Sequence, residues 1–248
     1  MENPESGLRS AVYQTILSRR DVRGQFLPDE VPADVLSRLL IAAHHAPSVG
    51  YMQPWSFLVI RETETKQRIK ALFDTADAEA AEMFSDKKSD QYRNLKLEGI
   101  LDAPINLCIT CDRNRAGPVV LGRTHMPEMD IYSTVCAVQN LWLAARAEGV
   151  GVGWVSIVHE GALKAELGLP GHVIPVAYLC IGYVSEFLEK PELETAGWRK
   201  RLALKDLIAF DHWNGEASDA RDDELLEQSG LDQKAVMNGS FVGSLADH

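Results

Sequence analysis

The segment Ile131 to Glu148, IYSTVCAVQNLWLAARAE, restricts the fold more than any other part of the chain. At helical spacing Val135, Val138, Leu141, Trp142, Leu143 and Ala145 spread over more than one face. Such a helix needs cover on nearly all sides, so it belongs at a sheet-packing centre or in a dimer interface. Gly149 follows as its natural C-terminal stop.

What surrounds this helix reads as short strands and amphipathic helices. Ser56 to Ile60, Ile105 to Cys111, Gly151 to Val158 and Val176 to Val184 have the length and apolar content of strands. Ser10 to Leu17 places Val12, Tyr13, Ile16 and Leu17 on one helical face, with Ser10 available as N-cap. Pro32 to His45 repeats the pattern through Val35, Leu36, Leu39, Leu40 and Ala43, and Thr65 to Phe84 is again helical. The polar run SDKKSDQYR, Ser85 to Arg93, reads as a mobile connection or lid, followed by a short helix ending at Pro104. Helices and strands that do not alternate regularly favour an α+β layered fold over a doubly wound one.

A chain of 248 residues, 46% hydrophobic, can bury one substantial core. One principal domain over residues 1–215 is expected. From Asp211 onward nine acids face two bases, and residues 216–248 read as an acidic, flexible tail.

The formal net charge of −11 argues against nucleic acid or an anionic membrane as partner, because both need many cationic contacts. No apolar run reaches the roughly 18 residues of a membrane span, and MENPESGLRS lacks the regions of a secretory signal. A soluble, cytoplasmic protein is the expectation. Cys108, Cys111, Cys136 and Cys180 sit in apolar stretches that suit reduced thiols. Cys108 and Cys111 form a C-x-x-C, but on a strand their side chains point to opposite faces. The histidines, including the pair His44 and His45, show no metal-ligand spacing, so no metal is expected. GVGVGWVS, Gly149 to Ser156, follows a helix and enters a strand, the reverse of a dinucleotide-binding turn.

Chemistry concentrates in RRDVR. Arg19, Arg20 and Arg23 crowd three guanidinium groups into five positions, which suits a phosphate oxygen cluster or, equally, a solvated basic turn after a helix. Two further segments decide between these: APSVGYMQPW, Ala46 to Trp55, and WRKRLALKDLI, Trp198 to Ile208. With RRDVR they resemble, in the same chain order, the flavin-binding segments of the nitroreductase superfamily. The resemblance implies a central mixed β-sheet flanked by helices, an intertwined homodimer, and FMN held by Arg19, Arg20, Asp21, Val22, Arg23 and Arg201. Arg199 is the rival to Arg201. It also implies that Ser48 and Gln53 lie near the flavin, across the dimer interface.

Within that superfamily RRDVR, APSVGYMQPW, GRTHMPEMDIYSTVCAVQNLWLAARAEG and GVGWVS resemble the aerobic 5,6-dimethylbenzimidazole synthases of cobalamin biosynthesis, over about Gln14 to Gly215. Asp21 and Tyr51 stand where ordinary nitroreductases carry serine and asparagine. Leu97 occupies the place of a substrate-binding lysine in deiodinase relatives. The resemblance implies that reduced FMN is a substrate, fragmented with molecular oxygen to 5,6-dimethylbenzimidazole and erythrose 4-phosphate. The alternative is an NAD(P)H-dependent oxidoreductase that recycles FMN. No nicotinamide motif is visible, so a separate flavin reductase is an equally open source of electrons.

Such chemistry needs groups that move protons near the flavin. Asp21, kept ionised by its arginine neighbours, is the candidate base or ribityl-orienting carboxylate, with simple charge balance as the alternative. Ser156 resembles the family serine at the flavin N5 and O4 edge, with a backbone-bonded buried serine as the alternative. The loop GRTHMPEMD, Gly122 to Asp130, is expected to close over the flavin and exclude solvent, with His125 and Glu128 as lesser candidates.

Overall fold

A computed structural model describes residues 4–245. In chain order the elements are α1 (Pro4–Ser18), α2 (Ala33–His44), β1 (Trp55–Ile60), α3 (Thr63–Glu82), α4 (Asp86–Arg93), β2 (Ile105–Asp112), α5 (Met129–Ala147), β3 (Val150–Val155), α6 (Glu160–Glu166), β4 (Val173–Tyr183), α7 (Glu192–Thr195), α8 (Ala220–Met237) and α9 (Phe241–Ser244). The chain divides into two compact units. One runs from Arg19 to Glu192; the other combines the residues up to Ser18 with those from Leu193 on.

In the larger unit the four strands form one sheet in the order β1-β2-β4-β3, every neighbouring pair antiparallel. Its parallel component is confined to an isolated bridge between Asp21 and Val152. Alternation along the strands sorts side chains onto two cores. On one face Leu107, Ile109, Leu179 and Ile181 pack with Leu39 of α2 and Val138 and Leu141 of α5. On the other, Cys108, Tyr178 and Cys180 pack with Ile69 and Phe73 of α3 and Leu163 of α6. Because helices cover both faces, β2 is buried along nearly its whole length, Asn106 and Thr110 included.

Several expectations change. Ser10 lies inside α1, which starts at Pro4, so it caps nothing. Ser85 to Arg93 is not a loose lid: α4 forms there, and Tyr92 anchors it by donating to Asp77 Oδ1 at 2.7 Å and stacking on Phe84. Residues 95–104, expected to hold a short helix, run as turns, which leaves the Ala103 and Pro104 carbonyls to accept from the buried Lys66 ammonium. Helix α5 buries one face only; Tyr132, Val135 and Cys136 are exposed on the other.

In the smaller unit the acidic segment expected to be flexible carries α8. Asp219 caps its N-terminus through the backbone N–H groups of Arg221 and Asp222, and Asp222 and Asp223 complement the helix dipole. Gln233 of α8 accepts from Leu204 N–H at 2.7 Å and donates to the Leu202 carbonyl at 2.8 Å, while Tyr13 of α1 meets Phe241 edge-on. Residues 246–248, also assigned to that tail, and the first three residues of MENPESGLRS lie outside the described residues.

Candidate functional site

RRDVR runs alongside β3 and α5 and is fixed to both. Trp142 of α5 donates its indole N–H to the Arg20 carbonyl at 3.2 Å, and its ring lies 4.7 Å beneath the Arg19 guanidinium. Arg20 turns back on its own segment, donating to the Arg19 carbonyl at 2.7 Å and to the Glu189 carbonyl. Val22 N–H donates to the Val152 carbonyl at 3.0 Å, and the Val22 side chain is buried, so only its backbone can face a ligand. The segment is half-buried, with three guanidinium groups against one carboxylate. That donor set fits a phosphate dianion.

Asp21 occupies the centre of this arrangement. Its Oδ1 accepts the backbone N–H of Trp154 at 2.9 Å, and its Oδ2 accepts Arg23 Nε at 3.0 Å and Nη2 at 2.7 Å. Arg23 Nη1 donates to the Lys96 carbonyl at 3.3 Å. Arg23 is thus directed at Asp21 and Lys96. Gly153 explains how the segment comes so close to β3: a Cβ there would lie 2.0 Å from the Val22 carbonyl oxygen. Gly151 and Gly153 of GVGVGWVS serve such close contacts. Ser156 is exposed immediately after β3, two residues beyond the N–H that holds Asp21, a separation of about 7 Å along an extended chain.

Ser48 and Gln53 lie in a strained loop. Gly50, Tyr51 and Gln53 all have positive φ, at 55°, 52° and 47°, a region costly for the two non-glycine residues. The loop is held closed by Gln53 N–H on Ser48 Oγ at 3.1 Å and by Val49 N–H on Ser133 Oγ at 3.1 Å. Arg115 adds bonds to the Gln53 and Trp55 carbonyls at 3.0 and 2.6 Å. Gly50 faces the Leu121 carbonyl, which a Cβ would approach to 2.8 Å. The loop is anchored on α5 at Ser133 and RRDVR at Trp142, nine residues and about 13 Å apart along the helix. Within one chain the Ser48 loop and RRDVR thus meet α5 at different heights.

GRTHMPEMD is organised by Asp130, which has no exposed surface. Arg123 Nη1 approaches its Oδ2 at 2.8 Å and Arg113 Nε at 2.9 Å. Arg123 also donates to the Arg113 and Gly117 carbonyls, and Arg113 to the Pro127 carbonyl, closing the loop on itself. Beside it Pro118, Val119, Val120 and Pro127 line a cleft of about 420 Å³. His125 and Glu128 are exposed, the former paired with Thr124 at 2.9 Å, and neither is drawn into a cluster.

Leu97 packs against the second core beside the Lys96 carbonyl that receives Arg23, so its position carries no charge. Arg199 and Arg201 belong to the smaller unit and are exposed ahead of the short 3-10 turn Leu204–Leu207. The C-x-x-C places Cys108 in the second core, where burial pushes its thiol up to about 12. Cys111, on the other side, is also raised by burial. Protonated buried thiols are poor ligands and nucleophiles. Among the described residues no group of three or more His, Cys, Asp or Glu could hold a metal ion.

Sequence reading missed Trp142, Arg113, Arg115, Arg123 and Asp130 as organising residues. For Trp142 the signal was a large aromatic with one polar atom inside a buried helix face, which needs an acceptor. For Asp130 it was an acid at a helix start preceded by arginines.

Comparison with known proteins agrees with this geometry. The nitroreductase family matches residues 16–183. The chain is 42% identical over 183 residues to a 5,6-dimethylbenzimidazole synthase of Rhodospirillum rubrum, covering 74% of this chain and 86% of that one. It is 38% identical over 201 residues to one of Rhodobacter capsulatus, covering 81% and 96%. Among solved structures, oxidized iodotyrosine deiodinase bound to FMN and 3-iodo-L-tyrosine shares the fold at a TM-score of 0.64 and 18% identity, over 82% of this chain and 100% of that one. NfrA2 of B. megaterium does so at 0.62 and 18%, over 93% and 85%. The chain is therefore a member of the nitroreductase family, a family of oxidoreductase enzymes.

Proposed function

We propose that this enzyme is an oxygen-dependent 5,6-dimethylbenzimidazole synthase that consumes reduced FMN and releases erythrose 4-phosphate as the second product. Similarity to synthases over most of the chain supports the substrate class. The observation that carries the reading is Asp21, a carboxylate held between Arg23 and the Trp154 N–H inside the arginine segment.

In this reading Arg19 and Arg20 hold the FMN phosphate by charge-assisted hydrogen bonds. Arg23 pairs with Asp21 and aims it. Bound reduced FMN supplies the electrons for oxygen and the carbon skeleton of the product. Asp21 takes a proton or orients the ribityl chain, and Ser156 gives or accepts one at the ring edge from the end of the same strand. Leu97 places an apolar surface where a charged side chain would recruit a polar second substrate. The loop Gly122 to Asp130, locked by its two arginines, excludes water from the site. The separation of the Ser48 loop from RRDVR on one α5 supports a homodimer in which each site draws on both chains.

Admitting oxygen to the enzyme loaded with chemically reduced FMN tests the reading. Lasting loss of the flavin absorbance is expected, whereas full return of the oxidised spectrum would place the protein with NAD(P)H-dependent recyclers of flavin.

A further inference from the structure

Trp142 is joined to two successive residues of the arginine segment by different parts of one ring. Its π face receives the Arg19 guanidinium at 4.7 Å, and its indole N–H donates to the Arg20 carbonyl at 3.2 Å. The next two residues are fixed instead by β3, Asp21 to Trp154 N–H and Val22 to the Val152 carbonyl. Trp142 and Trp154 adjoin, with ring centroids 6.2 Å apart. Three consecutive residues of RRDVR, Arg19 to Asp21, are therefore set by two neighbouring tryptophans, and Trp142 is the one that acts through its side chain. It is nearly buried and packs into the first core with Leu141 and Ala145, so its ring is itself immobile.

We propose that Trp142 is a positioning residue for phosphate recognition: it fixes the direction of the Arg19 guanidinium and the backbone turn at Arg20, and so sets the preference for the phosphorylated flavin over riboflavin. The proposal rests on the reading of Arg19 and Arg20 as the phosphate-binding pair. A guanidinium stacked on a ring keeps its N–H edge available in the ring plane while its face is covered, which suits in-plane donation to phosphate oxygens. Losing the face frees a rotamer-rich side chain, and losing the indole N–H leaves the Arg20 carbonyl without that donor.

The two contributions separate by substitution. Trp142→Phe keeps the face and loses the N–H; Trp142→Leu loses both. Dissociation constants for oxidised FMN and for riboflavin are measured in parallel by quenching of flavin fluorescence. Trp142→Leu is expected to weaken FMN by about tenfold and Trp142→Phe by about threefold, with riboflavin unchanged within about twofold in both. A merely structural tryptophan would weaken both ligands alike, and that result overturns the proposal, as does an undiminished FMN preference in Trp142→Leu. Should Trp142→Leu fail to fold, the Phe variant decides on the same ratio. Wild-type protein that binds riboflavin as tightly as FMN would contradict the phosphate reading itself and remove the proposal with it.

Discussion

Asp21 shows how one residue joins the fold to the chemistry. Its two oxygens accept from a strand N–H and from an arginine fork, so the carboxylate orders the segment while remaining the acid-base candidate nearest the arginines. Asp21→Asn retains one carbonyl oxygen for Trp154 but removes the ion pair with Arg23. Benzimidazole formation is expected to stop, while FMN affinity falls only a few-fold because Arg19 and Arg20 remain; equilibrium binding and product assay on the same preparation check this. Continued synthesis in that variant would strip Asp21 of its role. RRDVR stood out in the sequence only together with APSVGYMQPW and WRKRLALKDLI, since three close guanidinium groups alone suit a solvated basic turn equally well. The division of labour within it was not legible, because nothing in the spacing shows that Arg23 turns toward Asp21 and Lys96.

At the level of elements, the strands and the helices α2, α3 and α5 were legible to within a few residues, since each buries a stripe of regular period. Where local polarity was the guide, it misled. Ser85 to Arg93 is strongly polar, yet Tyr92 supplies the single buried anchor that holds α4, and α8 forms among acids because Asp219 caps it and Asp222 and Asp223 suit its dipole. Helix α5 was expected to be covered all round; in one chain its outer face stays open. The loop leading into it depends on Asp130, which is buried and paired with the part-buried Arg113 and Arg123. Asp130→Ala leaves two guanidinium groups without their shared carboxylate and is expected to cost about 3–5 kcal/mol in denaturant unfolding. A loss below about 1 kcal/mol would mean that the loop closes without this pair.

For the whole molecule, the exposed apolar residues indicate how the site is completed. Tyr51 and Leu121 are each 84% exposed, and Met126, Tyr132 and Val135 are exposed near them along the Ser48 loop, the Gly122 loop and α5. Such a patch on interlocked elements marks an association surface. Light scattering at micromolar concentration is expected to give twice the chain's 27.4 kDa; a single-chain mass would require each site to form within one chain. The segments that resemble flavin-binding motifs were readable in order along the sequence, but their placement was not, because RRDVR and the strained Ser48 loop meet α5 about 13 Å apart. The central claim is that the flavin is consumed, and isotopically labelled FMN tests it most directly. The labelled cofactor is reduced, bound, exposed to oxygen in a single turnover, and the mixture analysed by mass spectrometry. The account predicts labelled 5,6-dimethylbenzimidazole in an amount matching the flavin lost. Quantitative recovery of intact labelled FMN would contradict it.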